Sequence, residues 1–527
     1  MSDPSPPTSQ SSLREPAAAP SGGGFVALVG AGPGHPELLT LRGQKWLSRC
    51  DVVLYDGLSN TDMLVHAPQA EHICVGKHGQ TRIWKQQEII QEILRHAEQG
   101  KCVVRLKGGD PAVFARTSEE VDALVDAKVA FEIVPGITAA LAAGSYAGIP
   151  ITHRGIASAV ALVTGHEEPG KPESALDWSA LAAFPGTLVI YMGVTTAEAW
   201  TTALIEAGKP AGTPCAILRR CSLPDQQQIR CRLDEVVGHL TPASRFRPPV
   251  ITIVGDVTRL SETMDWFSKR PLHGQCILVT RPAGQADELA APLEDLGAEI
   301  IRQSVIEILP PEDWTEIDAA QDELASFDWL VFASANGVSS FFNRLEYRGM
   351  DSRALAGCRI AVVGKATAKR LAEYRLRPDY IPEQFTAESL LTHFTDLAPQ
   401  NNKPLSSQRF LIVRANRGSD TLPHGLRTAG ADVREVIGYR SVDVESVSPQ
   451  VEMLARDGAI DWVIVTSSAS AENLHRLFGD TIKPCRFAAI SPITADVLKN
   501  LEYQVDAIAD PHTMRGIVDA IASVMKP

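Results

Sequence analysis

No two of the nine cysteines are spaced as CxxC, and they lie scattered from Cys50 to Cys485. That spacing excludes the common zinc and iron–sulfur patterns, and no metal site is expected. An odd, unclustered set points to free thiols in a reducing compartment, the cytoplasm. No uninterrupted apolar run reaches the ~18 residues of a membrane span, so no membrane partner is expected. The first 24 residues lack the basic start and apolar block of a signal peptide. Rich in Ser, Pro, Ala and Gly, they read as a disordered tail. Basic residues are in deficit, 50 Lys+Arg against 63 Asp+Glu, for a net charge of −13. This argues against non-specific nucleic-acid binding, and an anionic substrate would need a locally basic cleft. No Ser/His/Asp arrangement is evident, so hydrolase chemistry has no support.

What is present is globular material. Apolar residues make up 44% and charged residues 21% of 527, room for roughly three or four compact units. From residue 25, short β-rich runs alternate with helical stretches. Strands are expected at 25–30, 51–55, 102–106, 129–134, 158–164, 186–191, 213–218 and 250–255. Amphipathic patterns at 84–98 and 116–127 lie between them, giving an α/β reading. A polar stretch around 258–274, with Lys269, Arg270, Pro271 and Gly274, reads as a linker, placed at 263–273.

A second α/β region begins at CILVTR, 276–281, and contains an internal repeat. Residues 276–300 line up with 409–433 at an offset of about 133, so that Arg281 falls on Arg414. DWLVFASANGVSSFF (328–342) lines up with DWVIVTSSASAENLH (461–475), and RIAVVGKATAKRL (359–371) with RFAAISPITADVL (486–498). The duplicated order predicts two similar lobes with a cleft between them. Ligands of open parallel sheets sit beyond the carboxyl ends of strands, which places the turns after 329–333 and 462–466 at that cleft.

The first half carries a series of short motifs. GAGPG (30–34) follows the apolar run FVALV. It is followed in order by LYD (54–56), VGK (75–77), RLKGGDPAVF (105–114), VPGITAA (134–140), AGIPITHR (147–154), VTGH (163–166) and VIYMG (189–193). Gly30, Gly32 and Gly34 allow close backbone approach to a ligand. GAGPGH departs from the dinucleotide pattern G-x-G-x-x-G. Asp110 is placed to cap the following helix. Together, in this order, the motifs resemble the uroporphyrinogen-III C-methyltransferases. The resemblance implies a two-lobed α/β tetrapyrrole-methylase domain at 25–262 and S-adenosylmethionine as cofactor. It implies cofactor contacts at Pro33, Gly108, Gly109, Asp110, Val113, Thr138, Ala139 and Met192, the last through its backbone. It further implies that Asp56 and Lys77 form an acid–base pair, and that the half dimerises.

The substrate implied is a uroporphyrinogen, rich in carboxylates. Arg105, Lys107, Arg116 and Arg154 are candidates to bind it, because guanidinium forks match carboxylates. Read without the resemblance, Asp56 is a helix cap and each of these cations an ordinary surface or ion-pair residue. The chain departs from the family at Gly57, where Arg is usual. It departs again at Lys77-His78 in place of GKR, at FARTSEE (114–120) in place of FGRGGEE, and at Cys221 in place of glycine.

Residues 274–527 resemble uroporphyrinogen-III synthase through LVTRP near the start, FASANGV (332–338), VGKATA, TSSAS (466–470) and SPITA (491–495). That implies a duplicated, two-lobed flavodoxin-like fold without a cofactor, one lobe from 274–305 plus 441–527 and the other from 309–437. It also implies closure of linear hydroxymethylbilane to uroporphyrinogen III. Tyr439, in VIGYRSV, matches the family's tyrosine for hydroxyl departure, and reads equally as a packed strand residue. Arg281, Ser334, Asn336, Thr466, Ser467, Ser468 and Thr494 are candidates to hold the substrate, or else helix caps and a strand-end cation. The expectation is a bifunctional enzyme giving precorrin-2, for sirohaem or cobalamin. The alternative is a later precorrin or diphthine-type methylase with a non-catalytic tetrapyrrole-binding module.

Overall fold

The computed structural model describes residues 23–57, 59–76, 84–166, 175–241, 246–384, 386–400 and 404–525. The chain divides into two compact units, Met1–Gly274 and Gln275–Pro527. Most of the expected disordered tail, and Lys77 and His78, lie outside the described residues.

The first unit holds two five-stranded sheets. Strands β1 (Phe25–Gly30), β2 (Val52–Tyr55), β3 (Glu71–Cys74), β4 (Cys102–Lys107) and β5 (Ala130–Val134) form an all-parallel sheet in the order β3-β2-β4-β1-β5. The centre of β1, Val26–Val29, is fully buried, which is why a continuous apolar run codes for it. Strands β6 (Val160–Thr164), β7 (Thr187–Tyr191), β8 (Pro214–Arg219), β9 (Gln227–Arg232) and β10 (Val250–Val254) form a mixed sheet in the order β6-β7-β10-β8-β9. Its pairs are antiparallel except β6 with β7. Two strands escape the periodicity reading, β3 (EHIC) and β9 (QQIRCR). Both are edge strands, where polar side chains are tolerated and guard against further pairing.

The stretch expected as a polar linker, 263–273, is instead docked onto the first unit. Phe267 and Leu272 are buried. Phe267 meets Tyr146 edge-on at 5.0 Å, and the Arg270 guanidinium lies 3.7 Å from its ring centre. The Trp266 indole N–H donates to Ser145 O at 3.0 Å. Two aromatic residues among the polar ones decide the outcome, since burying a Phe contributes about 2 kcal/mol.

The second unit also holds two five-stranded sheets. One comprises β11 (Cys276–Val279), β12 (Glu299–Arg302), β18 (Trp462–Val465), β19 (Arg486–Ala489) and β20 (Val505–Ile508), all parallel, in the order β12-β11-β18-β19-β20. The other comprises β13 (Ile306–Leu309), β14 (Trp329–Phe332), β15 (Arg359–Val362), β16 (Arg409–Ala415) and β17 (Asp432–Asp443), in the order β13-β17-β16-β14-β15. The repeat read from sequence is therefore a repeat of topology. The order β12-β11-β18-β19 corresponds to β17-β16-β14-β15, strand for strand. Even the ties match: Asp461 accepts from Cys276 N at 2.7 Å, and Asp328 accepts from Arg409 N at 2.9 Å. The fifth parallel position, filled by β20 in one lobe, is reduced in the other to a single bridge between Ala361 and Tyr380. Strand β17 runs on past its lobe, and its far end pairs antiparallel with β13.

Candidate active sites

In the first unit, three loops meet at the carboxyl ends of β1, β4 and β5. Gly32 and Gly109 exchange backbone hydrogen bonds, Gly32 N to Gly109 O at 3.1 Å and Gly109 N to Gly32 O at 2.8 Å. Gly136 sits against both: a Cβ there would lie 2.2 Å from Gly109 O and 2.8 Å from Gly30. Gly30 and Gly136 thus let loop meet loop, whereas Gly30 was expected to let backbone meet ligand. Gly109 differs, since a Cβ there meets nothing nearer than 3.8 Å, but its φ of +71° is left-handed.

Asp110 does not cap the following helix, Thr117–Asp126, whose N-cap is Arg116. One oxygen of Asp110 accepts from Ala112 N at 2.7 Å and the other from Gly136 N at 2.9 Å, so the side chain ties the second loop to the third. Thr138 precedes the helix Ala139–Tyr146, and its hydroxyl lies 2.6 Å from the Tyr191 hydroxyl. Ala140 N donates to the same Tyr191 oxygen at 2.8 Å. A residue of β7 thus secures the helix that follows the third loop. Burial pushes the Tyr191 phenol up from its ordinary value. Nothing within VIYMG signals this, because Tyr191 reads there as one more buried strand residue.

Phe114 lies 5.0 Å from the Tyr191 ring, and Val113 packs into the same cluster. Phe114 and Met192 are 43% and 49% exposed, and both have φ near +50°. Among the described residues eight non-glycines have positive φ; five of them, Phe114, Arg116, Met192, Arg220 and Ser222, lie in or beside these loops. Such strain collects where structure serves a ligand more than stability. Ser222 joins the set because His35 N donates to its hydroxyl at 3.2 Å, while Leu223 packs on Gly34. Pro33, half-buried, stands in that same loop. Pro33, Gly108, Val113, Ala139 and Met192, in or beside these loops, offer backbone groups and apolar side chains, and the Asp110 carboxylate is already satisfied within the protein.

Asp56 stands at the end of β2, half-buried. Arg105 Nη2 donates to its Oδ1 at 2.5 Å. Arg105 itself was expected to face a substrate carboxylate. It is instead buried, and its remaining nitrogens donate to Glu120 Oε1 at 3.2 Å and Leu106 O at 3.1 Å. Lys107 is equally buried, donating to Glu120 Oε2 at 2.6 Å. Both cations are consumed within the protein because the alternating side chains of β4 here face a helix, not solvent. Arg116 is exposed and forked onto Glu119 at 2.6 and 2.8 Å. Arg154 is exposed, in the turn 153–157. A Cβ on Gly76 would lie 1.8 Å from Gly57 N, so the turn after Asp56 packs directly on the turn that leads to Lys77.

In the second unit, the Tyr439 hydroxyl lies 2.9 Å from Ser334 Oγ, which also accepts from Gly337 N at 3.2 Å as cap of the helix Ala335–Tyr347. A register shift in β17, with Ala415 opposite Tyr439, accompanies this placement. Arg281 pairs with Glu288 at 3.1 Å and donates to Gln285 at 3.1 Å; Gln285 in turn donates to Asn336 Oδ1 at 2.8 Å. This chain joins the two lobes, and Gln285 was not foreseen. Ser467 caps the helix Ser468–Phe478, and Ser468 is its first residue. Thr466, half-buried, lies just before. Thr494 is 3% exposed and packs its hydroxyl 3.3 Å from Ser491, the actual cap of the helix Pro492–Asn500; it is not an open cleft residue. The SPITA motif held the cap one turn earlier than expected. Among the described residues no three His, Cys, Asp or Glu side chains could share a metal, and no helix is long and apolar enough to cross a membrane.

Residues 26–237 match the family Tetrapyrrole (Corrin/Porphyrin) Methylases, and residues 287–519 match Uroporphyrinogen-III synthase HemD. The porphyrin biosynthesis protein HemD of Ruminiclostridium josui is 35% identical over 508 residues, covering 95% of this chain and 98% of its own. The S-adenosyl-L-methionine-dependent uroporphyrinogen III methyltransferase of Methanosarcina barkeri is 44% identical over 46% of this chain and 94% of its own. A crystal structure of uroporphyrin-III C-methyl transferase from Thermus thermophilus complexed with S-adenyl homocysteine shares 42% identity over 45% of this chain and 100% of its own, with a TM-score of 0.40. The chain therefore belongs to the family in which a tetrapyrrole methylase is joined to a uroporphyrinogen-III synthase.

Proposed function

We propose that the chain carries out two consecutive steps of tetrapyrrole synthesis. The C-terminal half closes hydroxymethylbilane to uroporphyrinogen III. The N-terminal half methylates that product on rings A and B, giving precorrin-2 on the route to sirohaem or cobalamin. One observation carries this reading: a single relative, the Ruminiclostridium josui protein, is similar to both halves in the same order along nearly the whole chain.

S-adenosylmethionine, when bound, supplies an electrophilic methyl group. Pro33, Gly108, Gly109, Asp110, Val113, Thr138, Ala139 and Met192 are the residues we assign to hold it, with Phe114 supplying an exposed ring beside them. We assign Asp56, at a strand end and partly open, to take the proton that a ring carbon loses after methylation, with Lys77 as its partner. Arg154 and Arg116 are the exposed arginines we assign to substrate carboxylates. In the second unit, the Tyr439 hydroxyl assists departure of the substrate's hydroxyl group, with Ser334 orienting it. Arg281, Asn336, Thr466 and Ser467 are the residues we assign to hold the substrate's carboxylates. We further propose a homodimer through the methyltransferase half and residence in the cytoplasm; nine unpaired cysteines support the latter.

The test supplies the purified chain with hydroxymethylbilane and S-adenosylmethionine and identifies the product by mass and absorbance. Doubly methylated macrocycle supports both halves. Unmethylated uroporphyrinogen III alone would remove the methyltransferase reading, and linear or type I product would remove the synthase reading.

A further inference from the structure

Asp56 is one corner of a four-residue charge cluster, and the other three corners are hidden. The Glu120 side chain is 0% exposed, Lys107 3% and Arg105 4%, against 31% for Asp56. The formal charges cancel, two cations against two carboxylates. Glu120 is fully engaged. Its Oε1 accepts from Arg105 Nε at 3.2 Å and from Gln86 Nε2 at 3.1 Å, and its Oε2 from Lys107 Nζ at 2.6 Å. Arg105 then extends from Glu120 to Asp56. Its Nη1 is fixed on the neighbouring Leu106 carbonyl, so the guanidinium plane cannot turn.

Asp56 shows no second hydrogen-bond partner for its other oxygen among the described residues. A surface ion pair would not hold it so, because exposed pairs contribute little and are mobile. A buried charge without its partner is costly, so each member enforces the others.

We propose that Glu120 and Lys107 are positioning residues for methyl transfer: Glu120 anchors Arg105, which aims the Asp56 carboxylate, and Lys107 balances the buried charge. The proposal rests on the assignment of Asp56 as proton acceptor. Burial lowers the Lys107 ammonium from its ordinary value, and the neighbouring Glu120 carboxylate opposes that shift. The charged groups that meet this cluster from the packed elements are Arg105 and Lys107 of β4 and Glu120 of the helix Thr117–Asp126. Gln86, of the helix Gln86–Glu98, meets it as a neutral donor.

Charge sets the sign of the expected effects. Glu120→Gln leaves two cations facing Asp56 alone, which favours its ionised form. Lys107→Met leaves two carboxylates sharing one cation, which favours its protonated form. The experiment measures kcat for methylation of uroporphyrinogen III against pH, using the full chain and saturating S-adenosylmethionine. The acid limb moves down by roughly one pH unit in Glu120→Gln and up by roughly one in Lys107→Met, with kcat about tenfold lower in each. The double variant Lys107→Met/Glu120→Gln returns the limb to the wild-type position. Calorimetric S-adenosylmethionine binding, within about twofold of wild type, shows that each variant is folded. A purely structural role lowers the folded fraction and moves no limb. Limbs that stay put, or move the same way in both single variants, overturn the proposal. Asp56→Asn separates it from its premise: wild-type kcat there removes the role of Asp56 itself and the positioning role with it.

Discussion

Gly136 offers the sharpest test of how the three loops beyond β1, β4 and β5 fit together and of the cofactor site assigned to them. In Gly136→Ala the new Cβ starts 2.2 Å from Gly109 O and 2.8 Å from Gly30 Cα, both backbone positions with no rotamer to yield. The loops must part by about 1 Å to reach ordinary contact distance. Three hydrogen bonds bind them: the Gly32–Gly109 pair at 3.1 and 2.8 Å, and Gly136 N to Asp110 at 2.9 Å. A shift of that size carries all three beyond bonding range, at about 1 kcal/mol each. If the ligand binds only the closed arrangement, about 3 kcal/mol is about 100-fold in affinity. Gly109→Ala is the matched comparison. Its Cβ meets nothing within 3.8 Å, and only the left-handed backbone at φ +71° is penalised, by roughly 1–2 kcal/mol, or about tenfold. Titration calorimetry with S-adenosylmethionine reads both. Should Gly136→Ala bind as tightly as wild type, or lose less affinity than Gly109→Ala, the loop-on-loop account is wrong.

Three further outcomes follow from the geometry. Tyr191→Phe removes one hydroxyl that serves both Thr138 and Ala140 N; about 1–3 kcal/mol of stability is expected to go, read as a lower urea midpoint, with weaker cofactor binding. Asp328→Ala and Asp461→Ala break equivalent strand ties in the two lobes, so each is expected to destabilise the second unit by about 1–2 kcal/mol, and unequal losses in denaturant titrations would contradict the structural equivalence. Burial raises Cys50, Cys221, Cys276 and Cys358 from 9.0 to about 12, so these thiols stay protonated in the fold while the unfolded chain ionises. Stability is therefore fully present below about pH 8.5 and falls as pH rises toward about 12; chemical denaturation at successive alkaline pH values checks the slope.

The sequence read most clearly where side chains repeat with a regular period. Central strands such as β1 and β7, buried on both faces, announce themselves as apolar runs. Edge strands β3 and β9 do not, because one side of each is free of the sheet. The repeat at 276–300 and 409–433 foretold two lobes, since matched strands need matched neighbours. The candidate sites were legible only as motifs. Asp110 stands in the expected loop and Thr494 in the first turn of the helix Pro492–Asn500, but whether a short polar side chain caps a helix, ties two loops together or is simply buried depends on how the chain around it packs. Arg105 and Lys107 show the same limit more strongly. Their charge suggested an open surface, and only the packing of Glu120 against β4 decides that they are enclosed. The stretch 263–273 went astray because Trp266 and Phe267 were outnumbered by polar neighbours, although two rings suffice to pin a segment.

The lobe built on β11 and β12 begins the second unit and is finished only by β18, β19 and β20, while the other lobe is made wholly in between. During synthesis the inserted lobe emerges complete while its host still waits for more than half of its sheet. A stop codon or proteolytic nick after residue 460 would strand β11 and β12 without neighbours, yet leave the inserted lobe's strands all in hand. Damage near the carboxyl terminus therefore falls on the residues that follow residue 274, nearly two hundred positions upstream.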